Sequence, residues 1–284
     1  MYDCLALDIG GTNIKYGCFQ EGKLVLVDQT PVDASGTREQ ILSPVYGLLA
    51  RYPSQMLAVS IPGPFDYRRG ISLMTHKFAA LKGVCLTGVL LAHEPTMHVR
   101  FVHDAAAFLL GEQAIGAARD CPDAVGITLG TGLGFVRSQE GKLCMRKTLT
   151  PSDPLWSKPY RDGIAEEYVS GRGMQKRWQQ MTGRDEDVKA IAAQAREGQL
   201  QAVRLMRETG HVLGELLSAH PACQGADKIV VGGQIAYAWE LMQDSFAEAC
   251  PIPAVQAEHI VDAALWGAFQ YALRGNEAFH IAGD

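Results

Sequence analysis

Apolar residues in this chain come in short blocks separated by amphipathic stretches. Cys4 to Leu7 form an unbroken apolar run that ends at Asp8, and Ile14, Tyr16 and Cys18 then recur at every second position. That run, followed by period-two alternation, predicts strand, turn and strand, with Gly10-Gly11-Thr12 as the turn. Residues 23–32 extend the pattern into a third strand of a meander. Residues 37–51 instead space Ile41, Leu42, Val45, Leu48 and Leu49 at helical intervals. Residues 56–61 predict a short buried strand, closed by Pro62-Gly63-Pro64, which forces a rigid turn. A turn at 66–70, a short helix over 86–94 and a strand over 98–102 lead to His103-Asp104. Asp104 is placed to cap a helix that runs to about Ala118.

The opening pattern returns at Ala124. Residues 124–129 predict a strand, Gly130-Thr131-Gly132-Leu133-Gly134 a glycine turn, and 135–137 a second strand. This internal echo predicts two related lobes, each starting its own sheet. Helices follow over 172–182, 186–196 and 199–219, then a strand over 228–231 ending in Gly232-Gly233. A helix from Gln234 to about Phe246, a strand near 254–259 and a helix from Asp262 through Tyr271 complete the chain. Strands alternating with helices in this way define an α/β fold. Residues 138–162 stand apart as irregular and basic, with Lys142, Arg146, Lys147, Lys158 and Arg161. A solvated loop is the simpler reading of that stretch, and an anion-binding loop the alternative.

Composition narrows the field. A length of 284 residues suits two domains or one large one, and 47% hydrophobic with 20% charged residues is ordinary for a soluble globular protein. The net charge of −5 supplies no basic field for nucleic acid or an anionic membrane. No apolar run is long enough to span a bilayer. Cysteines at 4, 18, 85, 121, 144, 223 and 250 include no C-x-x-C pair, which fits reduced thiols better than a disulfide framework. The first residues run straight into a charged strand without a signal-peptide pattern, so the expected location is cytoplasmic.

Three features carry candidate chemistry. Adjacent glycines let the backbone turn tightly and leave its N–H groups open, a concavity that suits a phosphate chain. Asp8, at the end of the first strand, is placed to hold Mg²⁺ directly or through water. The same pattern also serves an ordinary hairpin. Neither glycine turn meets the dinucleotide-binding fingerprint, because each leads into a strand, and no G-x-x-x-x-G-K-[ST] is present. Asp104 suits either a general base or a plain helix cap.

Taken in order, several segments resemble the ROK family (repressors, open reading frames, sugar kinases) of the actin/hexokinase-like superfamily. They are Asp8-Ile-Gly-Gly-Thr-Asn-Ile-Lys15, Pro62-Gly63-Pro64, Asp104-Ala105 with Gly111-Glu112, Leu129-Gly-Thr-Gly-Leu-Gly134, Ser170-Gly171 and Val231-Gly-Gly233. The resemblance implies two ribonuclease H-like α/β lobes with an interlobe cleft. The first would be residues 1–105 completed by a C-terminal helix at about 262–284, the second residues 106–261. It implies a carbohydrate kinase, with ATP and Mg²⁺ between the two glycine turns and Asp104 as general base for a sugar hydroxyl. Asp8 would orient Mg²⁺. Gly10, Gly11, Thr12, Asn13 and Lys15 would form the first phosphate site, and Gly130, Thr131, Gly132 and Gly134 the second. Gly232 and Gly233 would floor the adenosine, though the pair serves equally as a strand-to-helix turn. Pro62, Gly63, His103, Asp104 and Glu166 are the implied sugar contacts, and a homodimer is implied by the resemblance alone.

The substrate half departs from the family pattern. His103 stands where the family has Asn, and no E-x-G-H follows the second glycine turn, since 135–162 contains no histidine. The family's C-x-C-G-x-x-G-C zinc cluster is missing, and Cys144 alone cannot supply about four ligands. Glu166, in Glu166-Glu167-Tyr168-Val169-Ser170-Gly171, matches the family's L-E-x-x-x-S-G but reads equally as an exposed helix acid. Trp156 would stack on a sugar face or simply pack. These departures leave a second reading open, a sugar-binding sensor that keeps the kinase fold without catalysis. Repressors of the family carry an N-terminal helix-turn-helix, for which a chain starting at its first strand leaves no room. A modified or acidic sugar would suit the basic loop.

Overall fold

The computed structural model describes residues 1–281. Residues 282–284, the end of the expected terminal helix segment, lie outside the described residues. The chain opens with β1 (Tyr2–Ile9), β2 (Asn13–Gln20), β3 (Lys23–Pro31), α1 (Arg38–Arg51) and β4 (Ser54–Ile61). Two short strands, β5 (Phe65–Asp66) and β6 (Ile71–Ser72), precede α2 (Leu86–His93), β7 (His98–His103) and α3 (Asp104–Ile115). Then come β8 (Ala124–Leu129), β9 (Leu133–Gln139), β10 (Lys142–Met145), β11 (Pro159–Tyr160) and β12 (Gly163–Ile164). Four helices follow: α4 (Ala165–Val169), α5 (Gly171–Thr182), α6 (Val188–Arg196) and α7 (Leu200–Ser218). The chain closes with β13 (Lys228–Gly232), α8 (Gln243–Ala249), β14 (Ala254–Gln256), α9 (Ala263–Arg274) and β15 (Phe279–Ile281). None of the described helices is long and apolar enough to cross a membrane.

The fold forms two compact units. The first holds Met1–Ile115, Lys142–Pro151 and the chain from Val261 onward, and the second holds Gly116–Gly141 and Ser152–Ile260. In the first, the sheet runs β3-β2-β1-β4-β7. The expected meander forms its antiparallel side, while β1, β4 and β7 pair in parallel. Parallel strands are covered on both faces, which is why Cys4–Leu7 and Leu57–Val59 read as unbroken apolar runs. Helix α1 begins at a capping box, with Gln40 N–H on the Thr37 hydroxyl and Thr37 N–H on the Gln40 side chain. It buries the five residues whose spacing predicts it.

Helices α3 and α9 approach so closely that backbone meets backbone. A Cβ on Gly267 would stand inside the Ala107 carbonyl, and one on Gly111 inside that of Ala263. Helix α9 also packs on β1, β4 and β7, and Phe269 stacks on Phe19 with ring centroids 4.1 Å apart. This packing keeps the whole of α3 in the first unit, whereas the sequence reading ends that lobe at residue 105. The helix also stops at Ile115, short of Ala118, where Gly116 follows.

The second unit repeats the opening device. Strands β8 and β9 pair antiparallel from Leu129 against Leu133, as β1 and β2 pair from Ile9 against Ile14. Strand β13 joins β8 in parallel, and β14 joins β13. Helices α5, α6 and α7 enclose a core that includes Trp178, Leu205 and Leu213. Residues 234–241 form a 3₁₀ segment rather than the expected α-helix, which resumes only at Gln243. The basic stretch 138–162 is not wholly irregular. Its β10 pairs in parallel with β15 in the first unit, and β11 pairs with β12 in the second. Strands of two to four residues carry too few positions for a period to show.

Two glycines give opposite expectations. Gly267→Val should lower stability by about 3 kcal/mol, because the backbone of α3 occupies the space a side chain needs. Gly47→Ala, in α1 with nothing within 4 Å of a new Cβ, should raise it by about 1 kcal/mol. Urea midpoints of the two variants check both signs.

Candidate active site

Strand register assembles the first cluster. Asp8 lies opposite Ser60 on β4, and Ile61 lies opposite His103 on β7, so the ends of three parallel strands meet at one edge. The Ser60 hydroxyl donates to Asp8 Oδ1 at 2.9 Å. His103 Nδ1 lies 2.9 Å from Asp104 Oδ1, and the Ala105 N–H donates to the same carboxylate oxygen at 2.7 Å. Gly63 belongs here too, since a Cβ on it would meet Tyr67 Oη at 3.5 Å and His103 Nε2 at 4.0 Å. Tyr67 is anchored by donating to the Ile61 carbonyl at 3.1 Å.

The two carboxylates respond oppositely to this setting. Burial pushes Asp8 above its ordinary value, against the Ser60 hydrogen bond and the Lys15 charge, and the Asp104 charge adds to the rise. Burial acts upward on Asp104 as well, but the His103 charge and hydrogen bond, the Ala105 N–H and the Lys77 charge together hold it below the ordinary value. Its side chain keeps 43% of its surface exposed. Asp104 is therefore an accessible, ionised carboxylate at neutral pH. Burial first, and the Asp104 charge second, keep the Tyr67 phenol well above its usual range.

Beside these groups is the β1–β2 turn. Gly10 N–H donates to the Asn13 carbonyl at 3.0 Å, and Val32 N–H to the Thr12 carbonyl at 2.9 Å. No hydrogen bond to the Gly11 or Thr12 amide is found among the described residues. Two adjacent N–H groups without partners in a turn form an anion-binding concavity. Asn13 Nδ2 donates to the Thr12 hydroxyl at 3.4 Å. Lys15, the expected phosphate contact, donates to the Val261 carbonyl at 3.3 Å.

The β8–β9 turn in the second unit is built differently around the same glycines. Gly130 N–H donates to the Gly132 carbonyl at 3.1 Å, and Gly171 N–H, at the start of α5, to the Gly130 carbonyl at 2.8 Å. Glu166 holds the turn from α4. Its Oε2 accepts Leu133 N–H at 3.0 Å, and its Oε1 accepts Arg172 Nη2 at 2.8 Å. Arg172 also donates from Nε to the Thr131 carbonyl at 3.1 Å. A Cβ on Gly132 would lie 2.7 Å from Glu166 Oε2, so the carboxylate would have to shift to admit one. Gly233 has φ +81°, and a Cβ there would strike the Leu129 backbone. Gly232 lies opposite Thr128 in the β13–β8 pairing, so both glycines neighbour the turn, with Gly134 in β9.

Thus Asp8, the Gly10–Asn13 turn, Pro62-Gly63, His103 and Asp104 fall within the first unit, and Gly130–Gly134, Glu166, Gly232 and Gly233 within the second. Glu166, expected beside a sugar, gives one carboxylate oxygen to Leu133 at the end of the glycine turn and the other to Arg172 of α5. Ser60, Arg172 and Lys77 do not appear in the sequence reading. Ser60 carries a signal, as the one hydroxyl in the buried half of an apolar strand. Arg172 and Lys77 carry none. Among the described residues no three His, Cys, Asp or Glu side chains gather as a metal cage.

This chain matches the model of the ROK family over residues 4–146 and 160–273. It belongs to the ROK family. The interruption at 147–159 falls within the basic stretch that lacks the family's histidine. N-acetylmannosamine kinase of Escherichia coli O157:H7 is 30% identical over 251 residues, covering 82% of this chain and 84% of the relative. N-acetyl-D-glucosamine kinase of Aliivibrio fischeri is 24% identical over 269 residues, covering 86% and 88%. Among solved structures, a ROK family glucokinase from Streptomyces griseus in complex with glucose and AMPPNP superposes with a TM-score of 0.76. It is 23% identical, with 96% of this chain and 99% of that chain covered, and shares the fold.

Glu166→Ala should loosen the second glycine turn, leaving the Leu133 amide buried without an acceptor at a cost of about 2 kcal/mol. Hydrogen exchange at Leu133 should accelerate, while exchange at Ile14 in the first turn stays as in the parent.

Proposed function

We propose that this ROK-family carbohydrate kinase transfers the terminal phosphoryl group of ATP to a hydroxyl of a hexose or N-acetylhexosamine, with Asp104 as general base. The observation that carries the reading is an ionised, solvent-accessible Asp104 beside a turn whose Gly11 and Thr12 amides are open. The named relatives act on amino sugars, which supports that substrate class.

Phosphoryl transfer needs positioning, charge neutralisation and an acceptor for the hydroxyl proton. In this reading the open amides of the first turn take phosphate oxygens, and Thr131 and Gly132 offer the same kind of donors in the second unit. Gly63, Tyr67 and His103 surround the place where a sugar hydroxyl would meet Asp104. His103 offers its Nε2 toward that space, in place of the family's asparagine. Asp104 accepts the hydroxyl proton as the oxygen–phosphorus bond forms. A sugar reaching Glu166 would share oxygens already engaged by Leu133 and Arg172.

The residues fit a magnesium ion. Asp8 spends one oxygen on Ser60, and its charge is strained by burial and by Asp104, a combination that a divalent cation relieves. Bound there, Mg²⁺ supplies the neutralising charge for the phosphates. A sensor without catalysis would need neither an ionised Asp104 nor an open glycine turn beside it.

Sugar-stimulated ADP release from Mg-ATP, measured with N-acetylmannosamine, N-acetylglucosamine and glucose, tests the reading. Asp104→Asn should lower kcat by about 10² to 10⁴. The pH dependence follows from the direction of the shift. A carboxylate base works when deprotonated, and Asp104 lies below the ordinary value of about 3.9. The acid limb of kcat/KM from this group should therefore fall below about pH 4. A limb near the ordinary imidazole value of about 6.5 would assign the proton to a histidine instead.

A further inference from the structure

Two lysines act on the two carboxylates of the first unit, and their situations differ. Lys15 acts on Asp8, but its ammonium group is already taken by the Val261 carbonyl. Lys77 acts on Asp104 and has no hydrogen bond or ion pair of its own among the described residues. Its Cε lies 4.0 Å from the position a Cβ on Gly11 would take, so its stem passes beside the open amides of the turn.

The local backbone explains how a lysine from the long 73–85 connection reaches this place. Met74 and Phe78 on either side of it are fully buried. Phe78 has φ +50°, a left-handed conformation that is costly for a bulky residue, by about 1–3 kcal/mol. Its N–H donates to the Ala34 carbonyl at 2.9 Å, and its carbonyl accepts Leu81 N–H at 2.8 Å. The buried ring and these two bonds hold the chain in the sharp turn next to Lys77. Lys77 itself is only partly buried.

We propose that Lys77 contacts the transferring phosphoryl group, as the cation that spans the Gly10-Gly11 turn and Asp104. The assignment rests on the kinase reading above and adds a residue to it. Charge in phosphoryl transfer spreads over the oxygens of the moving group, and a lysine ammonium is a compact, strong point charge for them. The open amides fix where the phosphate chain lies, Asp104 fixes where the hydroxyl attacks, and Lys77 is the one of the two lysines free to follow the group between them. The same ammonium also adds, after His103 and the Ala105 N–H, to what favours the ionised form of Asp104.

The test compares the parent with Lys77→Met, Lys77→Arg and, as a control, Lys82→Met at an exposed lysine of the same segment. Sugar-dependent ADP release is followed beside the melting temperature and beside binding of Mg-ATP and of Mg-ADP with aluminium fluoride and sugar. Lys77→Met should lower kcat by about 100-fold or more and weaken the fluoride complex in parallel, with KM for the sugar and the melting temperature unchanged. Lys77→Arg should recover part of kcat, and Lys82→Met should match the parent. A Lys77→Met enzyme within threefold of the parent in kcat overturns the assignment while leaving the kinase reading intact. So does a variant that loses Mg-ATP affinity as much as it loses the fluoride complex, since that marks ground-state binding only. A parent enzyme that no sugar accelerates sinks the kinase reading, and the role of Lys77 with it.

Discussion

The candidate site of the first unit depends on one constraint, the register of three parallel strands. Asp8, Ser60 and His103 come from segments about fifty residues apart, yet they meet because β1, β4 and β7 end at the same edge. Open sheets of this type place ligands at the carboxyl ends of their strands. A slip of one residue in β4 would turn Ser60 to the opposite face and replace it with an apolar neighbour. The buried runs on both faces of the sheet guard against such a slip, so packing far from the candidate site fixes the distance between the groups gathered there.

Charge then separates the roles of groups that the register brings together. Asp8 and Asp104 feel one another, and burial acts upward on both. Only Asp104 collects enough favourable partners to remain ionised below its ordinary range. Two neighbouring carboxylates with opposite shifts are the arrangement that the proposed function requires, one to seek a cation and the other to accept a proton. The second unit uses its carboxylate for another purpose. Glu166 and Arg172 form a clamp on a glycine turn, where the first unit relies on hydrogen bonds of the turn itself.

What could be read in the residues alone was what is local. The alternation at 14–18, the helical spacing of Ile41, Leu42, Val45, Leu48 and Leu49 in α1 and the glycine echo at 130–134 each describe a few neighbouring positions, and each appears as expected. The membership of α3 in the first unit was not local, because its partner helix lies some 150 residues away. The clamp by Glu166 was hidden for the same reason, as an acid six positions before an arginine does not announce a third partner at Leu133. Lys77 was invisible because its placement depends on a left-handed phenylalanine, a conformation that no sequence pattern signals.

The closeness of α3 and α9 also orders events in time. The five strands of the first sheet and α3 all lie within the first 115 residues, whereas the helix that covers β1, β4 and β7 begins at Ala263. During synthesis the sheet therefore leaves the ribosome long before its cover. Phe19 and the flank of α3 around Gly111 must wait, exposed, for a segment made almost last. At about 5–20 residues per second that interval lasts several seconds or more, and a nascent chain so exposed is open to aggregation and to chaperones.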